Sequence, residues 1–123
     1  MKNPENKFRF QELAIWHRAA TASEQLFRLA DSLEQRRLFK FAEQLRGATL
    51  SITNNIAEGS GSISKAEFAN FLNMARRSVF EVANILAMKA KQKYLPETGV
   101  APLLTELDEQ SRMILAFMRQ LKH

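Results

Sequence analysis

Two long stretches of the chain place apolar residues at alternating steps of four and three: Leu38, Ala42, Leu45, Thr49, Ile52 and Ile56 in one, and Phe68, Leu72, Ala75, Val79, Val82 and Leu86 in the other. On an α-helix such a row stays on one side and forms the seam of a bundle. A half-buried strand would alternate every second residue, and almost no segment here does. A first block, 11–31, carries Leu13, Trp16, Ala20, Phe27 and Ala30 on one stripe, with Ile15, Ala19, Ala22, Leu26 and Leu29 beside it. The expected elements are helices over 11–31, 33–58, 65–93 and 102–121, behind an N-terminal arm, 1–10, in one domain spanning 1–123. The fold class is all-α. Short connections between long helices favour an antiparallel up-down-up-down four-helix bundle.

Local signals refine the boundaries. Ser64 and Glu67 have the spacing of a capping box, and Ile63 and Phe68 that of a hydrophobic staple, so a helix is expected to begin there. Gly59-Ser60-Gly61 is expected to supply the left-handed residue that ends the helix before it. Pro102 fits the first turn of the last helix, where its missing N–H does no harm. Glu106, Asp108 and Glu109 then fall early in that helix and Arg119 with Lys122 late, complementing the macrodipole. Phe39, Leu50, Phe71, Phe80, Ile85 and Met88 lie outside the two seams, as Ile15 and Leu29 extend the first block. Either the core faces are wide or the chain self-associates, and the slender shape of four long helices favours an oligomer.

No run approaches the roughly 18 apolar residues of a membrane span, and the polar start MKNPENK does not read as a secretory signal. The cytoplasm is the expected compartment, with no membrane partner. Without cysteine, and with only His17 and His123, neither thiolate chemistry nor a histidine metal site is expected, and no cofactor is implied.

Eighteen Lys plus Arg against 13 Asp plus Glu give a net charge of +5 and a pI near 9.9, which attracts phosphate polyanions. In an antiparallel bundle Arg28, Arg36, Arg37, Lys40, Lys89, Lys91 and Lys93 gather at one end. Asp31, Glu34, Glu97, Glu106, Asp108 and Glu109 gather there too, so the end is expected to be nearly neutral. Phosphate contacts are then expected from local ridges: Arg36, Arg37, Lys40 and Arg46, and Arg76 with Arg77. No aromatic residues interleave them, so base reading is not expected.

The run SITNNIAEGSG sets polar groups beside a seam. Ser51, Asn55 and Glu58 fall at i, i+4 and i+7 on one helix face. Ser78 and Glu81 interrupt the row Phe71, Met74, Ile85 and Met88 on the next helix in the same way. A hydrogen-bonded link between the rows is expected, with Arg46 or Arg76 as charge partner. A structural role leads over an intersubunit contact or an active site. The lysine and hydroxyl spacing of a nucleotide-binding loop is absent, Ser51 has no sequence-indicated histidine base, and His17 sits beside Arg18 and alanines. The expectation is a protein that is not an enzyme.

The runs FRFQELAIWHRA, QLRGATLSITNNIAEGSGS and EFANFLNMARRSVFE resemble the bacterial four-helix-bundle family of ribosomal RNA intervening-sequence proteins. The resemblance covers 8–95, and NIAEG followed by F-x-x-FL-x-x-A is its most specific part. It maps onto Trp16, Gln44, Leu45, Arg46, Ala48, Ser51, Ile52, Asn55, Ile56, Ala57, Glu58, Gly59, Phe68, Phe71, Leu72, Ala75, Ser78 and Glu81. The family is related to the accessory protein of diversity-generating retroelements, a pentameric ring that binds nucleic acid and a reverse transcriptase. The resemblance thus implies a homo-oligomer, a pentamer, with RNA or DNA and a nucleic-acid enzyme as partners. Departures from the family pattern fall at Gly47 and Ser62, where arginine is common, and at Arg77, where glycine is. The leading expectation is nucleic-acid binding through basic helix surfaces. The alternative is a protein-interaction scaffold without nucleic-acid affinity.

Overall fold

The two four-three rows become the inner faces of neighbouring helices. A computed structural model describes residues 3–121, among which lie four helices and no strand. They are α1 (Ala14–Gln35), α2 (Phe39–Ser60), α3 (Lys65–Lys91) and α4 (Glu97–Leu121), preceded by a single 3-10 turn, Arg9–Glu12. Lys122 and His123 lie outside the described residues. Leu45, Ile52 and Ile56 from α2 and Leu72, Val79, Val82 and Leu86 from α3 are fully buried, with Leu26 and Leu33 from α1 and Leu107 and Ile114 from α4. Each such leucine or isoleucine contributes about 1.5–3 kcal/mol by leaving water. On α1 the core row is Ile15, Ala19, Ala22, Leu26, Ala30 and Leu33, so the stripe that sequence placed second is the buried one.

Helix α3 begins at Lys65 and α4 ends at Leu121 as expected, but other ends depart from expectation for local reasons, and α2 begins at Phe39 rather than at 33. Helix α1 continues to Gln35 because Leu33 completes its buried row, and Arg37 then turns the chain with φ 66°. The carbonyl of Leu33 accepts from Leu38 N–H at 2.9 Å and that of Glu34 from Arg37 N–H at 2.8 Å, the paired bonds of a Schellman motif. Helix α3 ends identically, with Lys93 at φ 66°, Tyr94 N–H on Lys89 O and Lys93 N–H on Ala90 O.

The Gly59 to Gly61 turn does not work as expected, since no glycine among the described residues has positive φ. Gly59 lies inside α2, where a Cβ would fall 2.7 Å from Phe71 Cβ, so its role is close approach to α3. At the start of α3, Ser64 Oγ accepts from Glu67 N–H at 3.1 Å. The staple does not form: Ile63 is fully exposed, while Phe68 is buried against Phe117 and under the Arg9 guanidinium. Helix α4 begins at Glu97 because the Pro96 carbonyl already accepts from Gly99 and Val100, and Val100 is buried. Pro102 therefore stands inside the helix, at the cost of the bond that Thr98 O would accept. Glu106, Asp108 and Glu109 consequently lie mid-helix, and Glu97 is the acid of the first turn.

Packing is most extensive between helices consecutive in the chain and thinnest between α1 and α4. Of the apolar surplus, Ile15 and Ile85 are buried and Leu29 and Phe71 partly so. Phe39, Leu50, Phe80 and Met88 remain exposed, joined by Met74.

Candidate functional site

The ends of α1 and α3 form one surface. Arg36, the last-turn cap of α1, donates from Nη1 to Tyr94 O at 3.0 Å and Lys93 O at 3.4 Å, just past the end of α3. Its guanidinium lies 5.3 Å above the Tyr94 ring, which stacks on Phe41 of α2 at 6.2 Å. Lys89 is buried beneath them, its ammonium 3.4 Å from the centre of the Phe41 ring and bonded to Gln92 Oε1 at 2.9 Å. Lys93, one of the two left-handed residues, lines the same surface, and Arg37, Lys40 and Lys91 are exposed within a few residues of these helix ends. A left-handed residue with a side chain costs about 1–3 kcal/mol, yet both positions carry a cation beside a helix C-terminus, where positive charge is favoured. An open hollow of about 550 Å³ beside this cluster is lined by Arg36, Lys93, Tyr94, Pro96 and Glu97 with Ala90 and Leu95.

Four of the six acids expected to neutralise this end, Asp31, Glu34, Glu106 and Asp108, are ion-paired; Glu97, which lines the hollow, and Glu109 make no ion pair among the described residues. Arg46 binds Asp31 at 2.7 Å and Glu34 at 2.9 Å, with Glu43 at 3.6 Å. Arg18 grips Glu106 through two nitrogens, and Arg112 pairs with Asp108. Hydrogen bonds from Arg18 hold the Glu106 carboxyl below its ordinary range, and those carboxylates raise Arg18 and Arg46 above theirs. Each of the four paired acids is thus matched by an arginine outside the expected cluster. Among the described residues, Arg36, Arg37, Lys40, Lys91 and Lys93 make no ion pair. The end is basic, not neutral.

Of the cations nominated from sequence, the structure brings together Arg36, Arg37 and Lys40. Arg46 is occupied by its acids. Arg76 donates to Ser111 O at 3.3 Å and lies over Phe80, facing α4. Arg77 is exposed on α3 beside a different groove. Lys91 and Lys93 were expected at this end but not nominated as phosphate contacts, and the aromatic pair was missed because Arg36 and Tyr94 are 58 residues apart and no local signal links the two connections.

That second groove holds the polar cluster. Asn55 Nδ2 donates to Ser51 O at 2.8 Å, which fixes the orientation of the amide, and to Ser51 Oγ at 3.0 Å. Ser78 Oγ donates to Met74 O at 3.1 Å, so the 2.9 Å contact between the hydroxyls must have Ser51 as donor. The serine and asparagine rows of α2 and α3 therefore link as expected. Glu58 and Glu81 are exposed and make no hydrogen bond to the chain of hydroxyls, and neither Arg46 nor Arg76 reaches it, correcting the expected charge partners. Ser51, Asn55, Met74, Arg77, Ser78 and Glu81 line an open groove of about 350 Å³. The Ser51 proton points to Ser78 and that of Ser78 to a carbonyl, so no base activates either hydroxyl. His17 is exposed and bonded to the Gln11 carbonyl at 2.5 Å, away from both grooves.

Gly59, the Ser51 to Ser78 link and the Ile52 and Ile56 seam put the run SITNNIAEG at the contact of α2 with α3. A sequence model of the family described as 23S rRNA-intervening sequence protein matches residues 11–116. The chain belongs to this family. The matched span takes in α1, α2 and α3 whole and most of α4. A comparison with curated proteins gives no match. In this intervening-sequence protein the family signature is thus chiefly an element of helix packing, whereas the basic end is built by the two connections outside it. Among its described residues no three metal-ligating side chains group together, and no helix is long and apolar enough to cross a membrane.

Proposed function

We propose that this intervening-sequence protein is a non-enzymatic homo-oligomer that binds RNA or DNA by the phosphate backbone, using the basic end formed by Arg36, Arg37, Lys40, Lys91 and Lys93. The observation that carries this reading is the pairing of Asp31, Glu34, Glu106 and Asp108 with Arg46, Arg18 and Arg112, which leaves Glu97 as the acid lining the hollow and the five end cations without an ion pair. Closely spaced cations displace counterions from a polyphosphate, the main source of sequence-independent affinity. Helices running up-down-up-down place both cationic connections at one end. Exposed Phe39, Leu50, Met74, Phe80 and Met88 support self-association, and the family resemblance favours a pentameric ring that repeats the basic end around its axis.

Titration of labelled RNA and of duplex DNA across a salt series, followed by fluorescence anisotropy, tests the binding. Affinity is expected at low salt and must fall as salt rises. Absence of binding to both at low salt would sink the proposal and leave a protein-interaction scaffold. Light scattering tests the assembly: a mass several times the 14.1 kDa of one chain is expected, and a monomer at micromolar concentration would contradict it.

A further inference from the structure

Phosphate contacts need only mobile charge, yet Arg36 is held in one orientation. Its Nη1 is bonded to the Tyr94 and Lys93 carbonyls, and one face of the guanidinium lies on the Tyr94 ring, itself backed by Phe41. The side chain is nevertheless exposed and lines the hollow of about 550 Å³ with Lys93, Tyr94, Pro96 and Glu97. That volume lies within the range of about 300–1,000 Å³ usual for small-ligand clefts. A planar, delocalised cation fixed on an aromatic ring presents a stacking surface that every nucleobase can use.

We infer that this hollow receives an unpaired base of single-stranded nucleic acid, stacked on the outer face of Arg36. The adjoining phosphate meets Lys93, and the Glu97 carboxylate accepts from an exocyclic amine of the base. A duplex keeps its bases stacked on one another and cannot enter. The inference rests on the phosphate-binding reading and adds to it a preference for single strands. It also replaces the expectation that no aromatic residue lies among the cations, because Phe41 and Tyr94 join them only in the folded chain.

The experiment compares the parent protein with Arg36→Lys on a short labelled RNA strand, a DNA strand of the same sequence, the blunt duplex, and a strand carrying abasic positions. Arg36→Lys keeps the charge and loses the plane. Both single strands are expected to bind about tenfold more weakly and the duplex to weaken distinctly less, since the charge is kept and only the stacking plane is lost. Abasic positions are expected to weaken the parent by a similar factor, a readout that does not depend on the variant's folding. A loss restricted to RNA or to DNA also supports the base site and identifies the sugar it accepts. Equal weakening of single strand and duplex, or no response to abasic positions, would overturn the base site while leaving the phosphate reading intact. A parent that binds no nucleic acid at low salt overturns both.

Discussion

At Gly59 one hydrogen atom separates α2 from the aromatic side of α3. A methyl group there would meet Phe71 Cβ at 2.7 Å and Phe68 Cδ1 at 2.9 Å, and Phe68 is already packed between Phe117 and Arg9. Gly59→Ala is therefore expected to destabilise the fold by about 1–3 kcal/mol through overpacking. Gly47 is the contrast: it sits mid-helix and exposed, with nothing within 4 Å of a Cβ. Gly47→Ala is expected to stabilise by up to about 1 kcal/mol. Urea midpoints of the two variants check the pair, and a Gly59→Ala protein as stable as its parent would mean that α2 and α3 do not approach so closely. Both glycines were visible in the sequence, but their roles were not. A glycine near a helix end looks like a terminator, and only the facing phenylalanines show that it is a spacer. The residues that do adopt the left-handed conformation, Arg37 and Lys93, carry no sequence mark of it.

Between elements, the thin seam of α1 with α4 is spanned by Arg18 and Glu106 over an open groove of about 540 Å³ that also includes His17, Gln25, Pro102 and Leu103. The hydrogen bonds from Arg18 dominate the lowering of the Glu106 carboxyl, with burial opposing and Gln110 assisting. A carboxylate held lower in the folded chain than in the unfolded one contributes stability above its unfolded value. That contribution is lost as pH falls from there through the folded value. Stability measured on acidification through and below the ordinary glutamate range is thus expected to fall more steeply for the parent than for Arg18→Gln. Identical pH profiles would show that the contact does not join the two helices in solution. The four helices were legible because their seams repeat every three and four residues over many turns. Their ends were less so: α1 ran on to bury Leu33, and α4 started before Pro102 because Pro96 and Val100 favour an earlier first turn. Neither the ion pair across α1 and α4 nor the stacking of Arg36 on Tyr94 has a local signature.

For the whole molecule, net charge says less than where the charges are matched. A count along the sequence put seven cations against six acids at one end, whereas the folded chain pairs Asp31 and Glu34 with Arg46 and leaves a basic edge. The polar signature of the family, by contrast, became a hydrogen-bonded join between α2 and α3 with an open groove beside it. The basic edge is the central claim, and the salt dependence of binding tests it most directly. The measurement compares RNA affinity across salt for the parent, for the triple variant Arg37→Gln, Lys40→Gln, Lys93→Gln, and for Arg46→Gln as a cation outside the edge. The triple variant is expected to lose affinity and to lower the slope of log K against log salt by about 2–3, with Arg46→Gln keeping the parent's slope. A triple variant with the parent's affinity and slope would contradict the account.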